Sequence, residues 1–129
     1  MRILSAGMAA VFALGVIVQY NDPDPLRWML VYGAACALSC WAAVQRSVPI
    51  LAASALGLVA LVWGLSLEAG VYGRVMPAEL VEAWEMKDER VETAREAGGL
   101  LIVGAWAFFL AGRSWYLRSG SARTDQSRP

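Results

Sequence analysis

A chain of 129 residues with 58% hydrophobic residues, 17% charged residues and a formal net charge of zero is long enough for one domain, and its balance is wrong for a soluble one. It carries no basic nucleic-acid patch and no phosphate-cradling glycine loop, and the absence of histidine removes the usual general base and metal ligand near neutral pH.

The charges are segregated. Ile3 to Tyr20, Trp28 to Val44, Val48 to Leu67 and Ala97 to Gly112 contain no Asp, Glu, Lys or Arg. Each run approaches the roughly 20 residues that cross about 30 Å of hydrocarbon. The expected fold class is therefore an all-α membrane protein, a four-transmembrane-helix up-down bundle with spans at about 3–20, 27–44, 48–67 and 96–116. These form one domain over residues 1–118, in a cell membrane or a bacterial inner membrane.

The first run follows Arg2 but has no small-x-small cleavage site before Gln19, so it reads as a retained helix and not a signal peptide. It ends in "QYNDPDPLRW". Residues before proline avoid the α region, which makes Asp22 and Asp24 chain-reversal positions. Asp24 followed by Pro25 also has the order of an N-cap and first helical residue for the second span. On that span Cys36 and Cys40 share a face, yet two thiols without histidine cannot complete a structural zinc site and read as packing residues. Gly33 and Ala37 on the second span, Ala53 and Gly57 on the third, and Gly99 and Gly104 on the fourth are small positions suited to close helix contact.

Between the third and fourth spans, residues 77–95 predict an amphipathic helix: Pro77 can open it, and Leu80, Val81, Trp84, Val91 and Ala94 recur at mostly helical intervals. Residues 119–129 read as a disordered basic tail. Tyr20, Trp28, Tyr72 and Trp84 mark one headgroup level and Trp41, Trp115 and Tyr116 the other, while Trp63 and Trp106 fall deeper as packing residues. With four spans the termini share a side with Arg2, Arg46, Arg113, Arg118, Arg123 and Arg128, which favours both termini in the cytoplasm.

Whatever the orientation, the loop after the first span and the start of the fourth lie on the same side of the membrane. This brings "NDPDP" toward "ERVETAREAGG", in which Glu92, Arg95, Glu96 and Gly99 form one helical stripe. A carboxylate and a guanidinium at the rim of a bundle are costly to leave unpaired, and Asp22 with Arg95 is the natural pair.

The chain here resembles the transmembrane protein 220 family of small four-span membrane proteins. The resemblance rests on "VQYNDPD" followed by Trp28 and Tyr32, and on Glu92, Arg95, Glu96, Gly99, Leu100, Ile102 and the Ala105-Trp106 pair of "ETAREAGGLLIVGAW", with Trp63 as a weaker match. It implies the four-span fold and carries no established activity.

Three functional readings remain open beside a plain latch between the first loop and the fourth helix. Gln19, Asn21, Asp22, Asp24, Glu92 and Glu96 can supply oxygens to a hard cation such as Ca²⁺ or Mg²⁺, with Arg95 as counter-charge. The same groups can hold a lipid headgroup, Arg95 taking its phosphate and Trp28 or Tyr32 lining its glycerol region. The alternative is a membrane-embedded hydrolase or transferase acting on a lipid through a carboxylate base, although no Ser-His, Cys-His or His-metal arrangement accompanies it. The lipid bilayer is the expected partner, with room for a second subunit, and no catalytic residue or cofactor is assigned.

Overall fold

The computed structural model describes residues 1–22, 24–71 and 89–126. Among these the chain is all helical: α1 (Arg2–Val18) with a 3-10 turn at Gln19–Asn21, then α2 (Pro25–Val44), α3 (Ile50–Val71) and α4 (Glu89–Gln126). Three segments, Pro25–Val44, Ile50–Gly70 and Val91–Gly120, are long and apolar enough to cross a membrane. The 17 residues of α1 rise about 26 Å, and the 3-10 turn lengthens that apolar end.

Proline sets two of the boundaries. Pro25 stands in the first turn of α2, where its missing N–H has no partner to lose. Gln45, at φ −97° and ψ 155°, leaves the helix with its N–H bonded to Trp41 O at 2.7 Å. Pro49 then keeps Val48 extended, and α3 starts one residue later.

The bundle is built as two close hairpins. α1 packs on α2 and α3 packs on α4, with lighter contact of α2 against α3 and α4. In the first hairpin a Cβ built at Gly15 would come 3.1 Å from the Tyr32 ring, and Cys36 Sγ donates to Ala9 O at 3.4 Å, an antiparallel register. In the second, Gly57 faces the Phe108 ring and Gly64 faces Leu100, also antiparallel. Ala53 and Gly57 are thus true contact positions, as their spacing suggests. Gly33 and Ala37 share that spacing but not the role: nothing lies within 4 Å of a Cβ at Gly33, and Ala37 is exposed.

α2 and α4 run parallel with a steady register. Tyr32 meets Gly99, Ser39 Oγ accepts from Trp106 Nε1 at 2.8 Å, and Arg46 O accepts from Arg113 Nη1 at 2.6 Å. Ser39 passes the chain of bonds on to Ala35 O at 2.7 Å, which satisfies an indole that is otherwise buried. Trp106 is a packing residue, as its depth in the sequence implies.

Two expectations change. The fourth helix is already helical at Glu89 and continues to Gln126, so the segment expected as a disordered tail from Ser119 is helical as far as Gln126. Extending an established helix skips the costly nucleation step, which lets polar residues follow an apolar span without a break. Trp28 was expected at the headgroup level; it is 1% exposed and stacks on Trp63 with ring centroids 4.7 Å apart. Residues 77–88 of the expected amphipathic helix lie outside the described residues, and 89–95 form the first turns of α4.

Candidate functional site

The 3-10 turn delivers Asp22 to the rim of the bundle. Its N–H donates to Gln19 O at 3.2 Å, and the backbone then turns extended at φ −76° and ψ 148°. Asp22 Oδ1 accepts the Asp24 N–H at 3.0 Å, an Asx-type bond that fixes the loop. Asp24 does occupy the N-cap position of α2, but its side chain makes no capping bond. Its carboxylate pairs with Arg27 at 3.1 Å, one helical turn on, with both side chains largely exposed. Such a pair contributes little to stability.

Across the rim, the first turns of α4 present Glu92 and Glu96 four residues apart on one face. Asp22, Glu92 and Glu96, all half-buried, each offer a carboxylate oxygen, and these oxygens lie within 4.8 Å of one another. Two parts of the chain seventy residues apart therefore converge, as the topology requires. Asp22 lies against the two glutamates, and Asp24 pairs with a guanidinium of its own, that of Arg27. Arg95 itself is half-buried on α4.

Asp22 and Glu92 are the like charges acting on Glu96, and Arg27 opposes them. Arg27 is the residue that sequence reasoning passed over. Its guanidinium carbon lies 5.5 Å from the Trp28 ring centroid and 5.7 Å from that of Trp63, so the stacked indoles form a platform that holds a cation beside the carboxylates. The three-residue step from Asp24 to Arg27 was the available signal.

Gln19 and Tyr32 stand below the rim. With Phe12, Gly15, Gly99 and Ile102 they line a cavity of about 290 Å³ between α1, α2 and α4. Tyr32 Oη occupies the space where a side chain on residue 99 would begin, so Gly99 permits the close approach that its position suggests. Asn21 closes the 3-10 turn. Sequence reasoning also missed Ser39 and Ser114, whose hydroxyls tie α2 and the turn after it to α4.

Chemically, the rim offers oxygen donors and a fixed guanidinium. Three carboxylates this close repel one another strongly unless a positive charge lies among them.

No solved structure matches this chain. The family described as Transmembrane family 220, helix, matches residues 11–112, which takes in the first loop, both sides of the rim, all of α2 and α3 and part of α1 and α4. With three helices able to span a bilayer and a shorter apolar one beside them, the chain is a multi-pass integral membrane protein and belongs to transmembrane family 220.

Proposed function

We propose that this protein is a membrane module and not an enzyme, and that its acidic rim holds a hard divalent cation, Ca²⁺ or Mg²⁺, between the first loop and the start of α4. The observation that carries this reading is the convergence of Asp22, Glu92 and Glu96. Oxygen-only donors suit a hard ion, which takes six or more oxygens and accepts water or a carbonyl for those the carboxylates do not supply. Three carboxylates brought this close need positive charge among them, which a divalent ion supplies. The ion joins the two hairpins, because Asp22 belongs to one and the glutamates to the other.

The test is thermal unfolding of the purified protein in gentle detergent. Millimolar Ca²⁺ or Mg²⁺ raises the Tm of the wild type, since an ion at about 100 times its Kd adds about 2.7 kcal/mol to the folded state. Glu96→Gln abolishes the shift. A wild type indifferent to both ions would remove the cation reading. Phospholipid turnover that disappears in Glu96→Gln would move the protein to the lipid-hydrolase alternative.

The same reading has both termini in the cytoplasm, supported by Arg2, Arg46, Arg113 and Arg118 at the end where α1 begins and α4 emerges. With Cys36 and Cys40 replaced by Ala, a single Cys at Ala69 reacts with an impermeant thiol reagent in intact cells and one at Ser119 does not. The reverse pattern would invert the orientation.

A further inference from the structure

The opposite end of the bundle has the opposite chemistry. Asp22, Asp24, Glu68, Glu89, Glu92 and Glu96 stand at the end of the helices that forms the rim, while the far end carries Arg2, Arg46, Arg113, Arg118 and Arg123 against one carboxylate, Asp125, in the last turns of α4. There the chain turns from α2 into α3 through residues 45–49, and α4 clamps the turn. Ser114 Oγ accepts the Val48 N–H at 2.9 Å, Arg113 donates to Arg46 O, and Arg118 Nη2 donates to Val48 O at 3.3 Å.

Beside this clamp lies a cavity of about 510 Å³, lined by Trp41, Gln45, Ser47, Ile50, Leu51 and Arg118. The bond to Val48 O engages one of five guanidinium N–H donors and sets the direction of the rest. Ile50 and Leu51 open the 22-residue helix α3, and the Ala53 N–H is bonded to Pro49 O at 3.0 Å. Their amides lie ahead of that bond, where no helix carbonyl can reach them. Guanidinium donors and a helix N-terminus on one cavity favour an oxyanion.

Position decides which oxyanion. Trp41, Trp115 and Tyr116 are 51%, 64% and 73% exposed at this end, an aromatic girdle of the kind that sits at the headgroup level. The phosphate available at that depth is a lipid's. The arginines at this end, five among the described residues against the single carboxylate Asp125, favour a headgroup of net negative charge over a zwitterion.

We propose that this cavity binds the headgroup of an anionic phospholipid, its phosphate on Arg118 and the first-turn amides of α3, and its glycerol region against Trp41 and Leu51. The site is independent of the acidic rim and takes a ligand of opposite charge.

Native mass spectrometry of the detergent-released protein, titrated with phosphatidylglycerol or with phosphatidylcholine of the same chains, tests this. The wild type retains phosphatidylglycerol in preference. Arg118→Gln weakens that binding by about tenfold, the effect of one charge-assisted contact, whereas Arg46→Gln, the same loss of charge outside the cavity, changes it less than about twofold. Leu51→Trp, which fills the cavity without altering charge at a side chain 87% exposed, also lowers retention and covers the case in which Arg118→Gln fails to fold. Equal retention of the two lipids, or equal effects of the two arginine substitutions, would overturn the proposal. So would inorganic phosphate displacing the lipid at millimolar concentration, which would mark a site for free anion instead.

Discussion

Gly104→Leu separates α3 from α4. A Cβ at residue 104 would lie 3.3 Å from Gly57 O, 3.3 Å from Leu61 N and 3.4 Å from Leu61 Cα, so the first carbon of any side chain meets backbone. A side chain can rotate away from such a contact; a helix backbone has to move as a whole. The leucine's further carbons then have no space between two helices held this close. The expected destabilisation is about 3 kcal/mol, the upper part of the usual range for overpacking. Gly112→Leu is the control, because nothing lies within 4 Å of a Cβ there and the position is exposed. Unfolding by sodium dodecyl sulfate in mixed micelles measures both. Equal stability of the two variants would show that the close α3–α4 approach is not a source of cohesion.

Gly99→Ala strikes the seam between the hairpins. Its methyl group falls on Tyr32 Oη, and the Tyr32 ring cannot retreat freely because it fills the space left by Gly15 and packs against Phe12 at a centroid distance of 6.4 Å. A loss of about 2 kcal/mol is expected. In a Tyr32→Phe background the loss shrinks, because the colliding oxygen is gone, and the cycle gives a coupling on the order of 1 kcal/mol. Glu96 lies one turn before Gly99, so the single variant also spreads the acidic rim and weakens any response to Ca²⁺. Strict additivity would mean that the two residues do not touch.

The four helices were legible because the hydrocarbon interior admits only long uncharged runs, and such runs stand out against 17% charged residues. The meeting of "NDPDP" with Glu92 and Glu96 was legible too, since an even number of crossings leaves only one arrangement of sides. What sequence did not reveal was which way each helix faces. A soluble helix advertises its buried face by contrast with a polar one, but α2 and α3 are apolar all round. Gly33–Ala37 and Ala53–Gly57 therefore look alike on paper while only the second pair meets a neighbour. The burial of Trp28 was hidden for the same reason, because an indole one turn inside a span fits both a headgroup girdle and a core stack. The pairing of Asp24 with Arg27 depends on a few ångströms of loop geometry. Once Asp22 caps the loop by accepting from the Asp24 N–H, Asp24 is left pointing to Arg27.

The parallel alignment of α2 with α4 has a mechanical side. Tyr32 on Gly99, Ser39 on Trp106 and Arg46 on Arg113 are three rungs at the same sequence offset, joined across the seam by the Trp28–Trp63 stack and the bonds of Ser114 and Arg118 to Val48. The joint is therefore held in one register. Sliding one hairpin past the other by a single helical turn, about 5.4 Å, would disengage all three rungs together. The same stroke would pull Asp22 away from Glu92 and Glu96 at one membrane surface and drag Ser114 off the α2–α3 turn at the other. Both ends of the molecule thus depend on the one register of α2 against α4.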